Sequence, residues 1–212
     1  LSKKLYKMLE TKGQLYMSKQ DEAKRELTYT NLFTYIKYNK NNLEKSLSLL
    51  YEVNNTLFND FLNSEDDLIN FPAVKEIVKS TVYLIQKNQH YLRNTIKNFS
   101  SDYSLPYHSM HVSIYAINIG YFLRLEEKHL IELGIAGLLN DIGSKKINDS
   151  ITNKDSKLDI KEIEAEQQHP KFSCDNAKKN HITEPYILDS ILHNQEYNDG
   201  TGHPSFLQSD VI

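Results

Sequence analysis

Cysteine is almost absent: among 212 residues only Cys174 carries a thiol. A single thiol excludes an intramolecular disulfide and a thiolate zinc ribbon. The chain is therefore expected in a reducing, cytoplasmic compartment, with Cys174 as a small buried apolar residue. No apolar run approaches the ~18 residues of a membrane-spanning helix, and no secretory leader is visible. Neither charge sign dominates. Twenty-five Lys and Arg face 28 Asp and Glu, net −3, and the lysines alternate with acids instead of forming a basic block. No strong attraction to nucleic acid or to an anionic membrane is expected. An alternating strand pattern is missing after residue 20, and there is no internal repeat. The chain begins at Leu1, not Met, and is expected to be a fragment or the ordered core of something longer.

What is present is ordinary for a soluble globular chain, with 39% hydrophobic and 25% charged residues. Residues 1–19 read either as a hairpin around Lys12-Gly13 or as two short helical pieces. Apolar residues recur near helical spacing from Glu22 to Tyr38. Leu43, Leu47, Leu50, Asn54, Leu57, Phe58 and Phe61 form a regular stripe over 42–62, suited to a core or to a partner helix. Ser64, followed by Glu65, Asp66 and Asp67, reads as a helix N-cap with acids in its first turn. Phe71-Pro72 interrupts, since proline disfavours helix in the residue before it.

Further helices are expected over about 74–87 and 91–99, 108–125, 127–140, 160–168, 170–179 and 186–196. His108, Val112, Tyr115 and Ile119 share one face, expected to point inward. Gly134 and Gly137 suggest close approach of a neighbouring helix. The fold class is all-α or nearly so. Residues 1–70 are expected to be a mostly helical sensory, docking or dimerisation region, and 71–212 a helical bundle.

Chemistry-bearing residues gather at helix ends. They are Tyr107-His-Ser-Met-His-Val112, Leu138-Leu-Asn-Asp-Ile-Gly143, His169-Pro170 and His193-Asn-Gln-Glu-Tyr-Asn-Asp-Gly-Thr-Gly-His-Pro204. Imidazole nitrogen and carboxylate oxygen suit zinc, iron or manganese, and a bound cation lowers the pKa of water and neutralises phosphate oxygens. Each cluster alone also fits a plainer role: a hydrogen-bonded core histidine, a helix C-terminus, a helix junction or a turn.

Taken together, the succession resembles the HD-GYP subgroup of the HD phosphohydrolases. The motifs are His-Ser-x-x-Val (108–112), Ala-Gly-Leu-Leu-x-Asp-Ile-Gly (136–143), Ile-x-Asp-x-Ile-x-Asn-Lys-x-x-Lys-Leu (147–158), His-Pro (169–170) and Glu-x-x-Asp-Gly-x-Gly-x-Pro (196–204), spread over residues 73–212. The resemblance implies an HD-type helical bundle, C-terminally incomplete here, that hydrolyses cyclic di-GMP with two or three metals. His108, Asp141 and His169 match its metal ligands. Asp141 and Lys145 are the catalytic candidates, Lys145 because Ser144 stands where the family has lysine. Glu196, Asp199, Gly202, His203 and Pro204 are the substrate-binding candidates.

Departures fall on the ligands. Asn140 replaces the histidine of the HD pair, Asn194-Gln195 replace two further histidines, and His203 replaces the tyrosine of GYP. Neutral amides are poor ligands for these cations. The expectation is a degenerate domain with impaired or lost hydrolysis, acting in bacterial signalling through cyclic di-GMP or protein partners. Its expected cofactor is none, or a divalent Fe, Mn or Zn ion if the extra histidines His111, His193 and His203 rebuild a centre. The alternative is an active metal-dependent phosphodiesterase. A homodimer through the 43–61 stripe is a further expectation.

Overall fold

Asn42 starts the first long helix by accepting the Lys45 amide on its side-chain oxygen at 3.1 Å. The computed structural model describes residues 29, 31–38, 42–98, 104–152, 154 and 156–208, without the side chains of 89–98, 149 and 152. Expectations for residues 1–28 lie outside the described residues. Helical backbone over 31–38 precedes α1, Leu43–Asn63. All seven residues of the α1 stripe are buried, because α2 (Phe71–Asn98) and α3 (Leu105–Phe122) pack over it. The stripe is therefore occupied within the chain and is not free to serve as a dimerisation surface.

Ser64 caps the opposite end from the one expected. Its amide and hydroxyl both donate to Phe61 O, at 3.2 and 2.8 Å, which ends α1. A serine hydroxyl can donate to a last-turn carbonyl as readily as it accepts a first-turn amide. Asn70 opens α2 instead, its side chain accepting the Ala73 amide at 3.1 Å. Pro72 sits in the tolerated first turn. The two helices expected over 74–99 run together as α2, with non-helical geometry at Asn88 marking their junction.

α3 begins three residues earlier than its pattern suggests, with Pro106 in the first turn. Its buried residues are Pro106, Ser109, Met110, Ser113, Ile114, Ile117 and Gly120. The face carrying His108, Tyr115 and Ile119 is thus the open one, correcting the expected inward orientation. Helical spacing finds a face, but here both faces are rich in apolar residues, and small Ser109, Ser113 and Gly120 mark the side that admits a neighbour.

That neighbour is α4, Glu127–Leu139. A Cβ at Gly137 would lie 2.9 Å from Ser113 Cα, and Ser113 Oγ donates to Gly134 O at 2.8 Å. The chain continues as a 3₁₀ turn, Ile142–Lys146, and the short α5, Asp149–Thr152. Then come α6, Ile160–Glu166, α7, His169–Lys179, and α8, Pro185–Leu192. An Asp159/Glu162 capping box starts α6. Asp199 and Gln208 form an isolated bridge, and no strand occurs among the described residues. The fold is all-α. One cluster of buried side chains runs from Tyr29 through Phe58, Val78, Ile114 and Leu138 to Ile191, with Cys174 inside it. Among the described residues, no helix is long and apolar enough to cross a membrane.

Candidate functional site

Gly143 decides where the site forms. A Cβ there would lie 2.3 Å from His169 O and 2.4 Å from Ser173 N, so only glycine lets the 3₁₀ turn lie against α7. The Gly143 amide donates to buried Ser173 Oγ at 2.8 Å, fixing that approach. Asp141, two residues earlier, is thereby held beside His169 in the first turn of α7. The close α3–α4 contact brings His108 from the other side. His108 Nε2 lies 3.0 Å from Asp141 Oδ2, and His169 Nε2 lies 3.4 Å from Asp141 Oδ1. Three residues spread over 61 positions, the expected remnant ligands, thus meet at one carboxylate.

Their charges depend on one another. Burial favours the neutral acid at Asp141, but the neighbouring imidazoles of His108 and His169 outweigh it and lower its pKa to about 2. The hydrogen bond to Asp141 raises the pKa of His108 against partial burial. Burial opposes charge on His169, yet Asp141 and the Glu166 carbonyl raise its pKa as well. His169 Nδ1 is 2.8 Å from Glu166 O and 3.2 Å from Glu166 Oε1. A carbonyl only accepts, so Nδ1 carries a proton and Nε2 is the nitrogen that changes state. Glu166 is a site residue that the sequence reading missed. Its i, i+3 spacing from His169 was the available signal.

The other candidates are placed differently. Lys145 donates to Phe61 O at 2.8 Å and Ser64 O at 2.7 Å, pairs with Asp67 at 2.9 Å and lies over the Phe61 ring. Its ammonium caps α1 instead of meeting the histidine cluster. Glu196 spends both carboxylate oxygens on backbone, accepting the Ser205 amide at 2.6 Å and the Leu207 amide at 2.9 Å. Asp199 accepts from the amide and hydroxyl of Thr201. At Gly202 a Cβ would fall 2.2 Å from Tyr197 N and 2.4 Å from Glu196 Cα. These residues fold the 196–207 segment onto itself.

The result carries His203, joined to Pro204 by a cis bond, to within 6.3 Å of His169, ring centre to ring centre. Burial and the neighbouring His169 lower the pKa of His203. α8 stops at Leu192, so His193 is a capping residue in a turn, and its Nε2 lies 3.4 Å from Ser205 Oγ. Several buried polar atoms around these turns and on α3 have no hydrogen-bond partner: Asn140 Oδ1, Asp141 Oδ1, both amide atoms of Asn194, His203 Nε2 and His111 Nε2.

The donor set does not fit a pair of metal ions. His108 and His169 each turn Nε2 to a different oxygen of the same carboxylate, whereas a catalytic zinc ion takes about three protein ligands. Asn140 and Asn194 offer only neutral amides. Among the described residues, no group of three or more His, Cys, Asp or Glu is arranged to hold an ion.

An all-α fold with helix-borne histidines on a shared aspartate defines the class of site. The chain is 30% identical over 144 residues to cyclic di-GMP phosphodiesterase PA4108 of Pseudomonas aeruginosa. That stretch is 68% of this chain and 35% of the relative, so the chain spans about a third of the relative's length. No protein-family model matches the chain, and no solved structure matches it.

Proposed function

We propose that the chain is a degenerate HD-GYP domain that binds a cyclic di-GMP type nucleotide with impaired or no hydrolysis, and that relays this state to protein partners in the cytoplasm. The observation that carries this reading is the meeting of His108, Asp141 and His169 at one carboxylate while Asn140 and Asn194 leave buried amide atoms unpartnered. Similarity to a cyclic di-GMP phosphodiesterase supplies the nucleotide. With both imidazoles protonated, the carboxylates of Asp141 and Glu166 balance their charge, so a phosphate group would be held through imidazole N–H donors and not by excess positive charge. Buried amides without partners each cost about 1–3 kcal/mol and suit a polar ligand that satisfies them. Hydrolysis through a metal pair has too few ligands here to bring water to its nucleophilic form.

The test is calorimetric titration of the full chain with cyclic di-GMP, beside a hydrolysis assay in added manganese or iron and elemental analysis of protein purified without chelator. Binding without turnover is expected. Turnover at rates typical of enzymes (about 1–10³ s⁻¹), together with stoichiometric metal lost on His169→Ala, would replace this reading by the active phosphodiesterase. His203 beside His169 is the observation that favours that second reading, since it adds an imidazole to the cluster.

A further inference from the structure

The open face of α3 is continuous with the candidate site and carries aromatic surface. His108 heads this face, with its side chain half exposed and its Nε2 on Asp141. Seven residues on, about two turns and roughly 10 Å along the axis, Tyr115 lies on the same side. Tyr115 is 51% exposed, and Ile119 one turn further is 61% exposed.

Tyr115 is also the outermost member of an aromatic ladder. Its ring centre is 6.4 Å from His111, His111 is 5.8 Å from Tyr51, and Tyr51 stacks on Tyr107 at 5.4 Å. Tyr51 is buried in α1, so the ladder is anchored in the core, and Tyr115 is its most exposed ring. A phosphate held at His108 would place the base attached through its ribose near this ring. Aromatic rings backed by others suit a planar base, because every base has a π-face.

We propose that Tyr115, backed by His111 and flanked by Ile119, is the stacking platform for a purine base of the nucleotide whose phosphate lies at His108. This rests on the nucleotide-binding reading above and deepens it by naming what recognises the base. Phe122, a further turn along and 76% exposed, lies beyond the reach of that base and has no part in it.

The chain contains no tryptophan, so Tyr115→Trp supplies a single reporter at the platform. Cyclic di-GMP is expected to quench its fluorescence saturably. By calorimetry, Tyr115→Ala is expected to weaken cyclic di-GMP binding about tenfold, while Tyr115→Phe and Phe122→Ala stay within about twofold of wild type. Inorganic pyrophosphate, which has no base, is expected to bind Tyr115→Ala and wild type alike. Far-UV circular dichroism checks that each variant is folded. Wild-type binding that is untouched in Tyr115→Ala would overturn the platform and leave the nucleotide reading standing. A change of oligomeric state in Tyr115→Ala without loss of affinity would make this face an interface between copies and likewise overturn it. Failure of wild type to bind cyclic di-GMP would remove both.

Discussion

Asp141 is a carboxylate held between two imidazoles, and that arrangement ties the stability of the pocket to pH. Its folded pKa, about 2, lies below the ordinary 3.8. Its contribution is therefore present above about pH 4 and lost as pH falls toward 2. His108 and His169 are shifted upward from 6.5. Their contributions are complete below 6.5 and are lost as pH rises through their folded values. The two windows overlap between about pH 4 and 6.5, where urea denaturation should find the cluster's contribution greatest. Asp141→Asn should destabilise the chain by about 1–3 kcal/mol in that window and by less at pH 8.5. A bound cation reverses the trend, since its ligands must be deprotonated. Stability that rises above pH 7 in added manganese, and only for the chain with Asp141, would contradict the metal-poor reading.

At the scale of elements, two contacts hold the site in register, and they differ in how readable they were. Gly143 sits in a run that resembles a family motif, and its need for glycine is a backbone contact with His169 and Ser173. Gly143→Ala should push the 3₁₀ turn off α7 and cost about 1–3 kcal/mol or more, with loss of the Asp141–His169 contact visible as a changed His169 chemical shift. Lys145 was not readable in the same way. Its neighbour Ser144 stands where the family that the sequence resembles has lysine, but nothing local shows that Lys145 reaches 84 residues back to Phe61 O.

Ser64 shows the same limit. The sequence contains a cap there, while which helix it caps depends on the 64–70 loop, tied down by Lys145, Asn176 and Asn180. His108 was found by motif, but its orientation was misjudged, because periodicity alone does not say which of two apolar faces a neighbour covers. Lys145→Met retains side-chain bulk over Phe61 yet takes the ammonium donor from Ser64 O and the cation from Asp67, while Phe61 O keeps the amide and hydroxyl of Ser64. Chemical denaturation should show a loss of about 1–3 kcal/mol. A loss below about 0.5 kcal/mol, the level of an exposed surface substitution, would mean that the cap is dispensable.

For the whole molecule, the question is whether residues 43–63 and 71–208 behave as one unit. The turn at 64–70 falls near the boundary expected from Phe71-Pro72, but the side chains cross it freely. Asn54 Nδ2 donates to Pro106 O at 2.7 Å inside the core, Tyr51 stacks on Tyr107, and Lys145 is bound by α1 and Asp67. Leu47, Leu50 and Phe58, each at most 1% exposed, lie in the same cluster as Val78 and Ile114. Deleting α1 would expose the faces of α2 and α3 that it covers and strand the Lys145 ammonium. A chain starting at Phe71 should therefore fail to give a cooperative thermal transition by circular dichroism, whereas the full chain should unfold with coincident far-UV and tyrosine-fluorescence transitions. Leu50→Asp in the full chain, which sets a carboxylate in a fully buried position, should lower stability by about 3–5 kcal/mol with no shift in oligomeric state of the protein that remains folded, as measured by light scattering. Dissociation of a dimer by Leu50→Asp without unfolding would instead mean that the stripe faces a second copy.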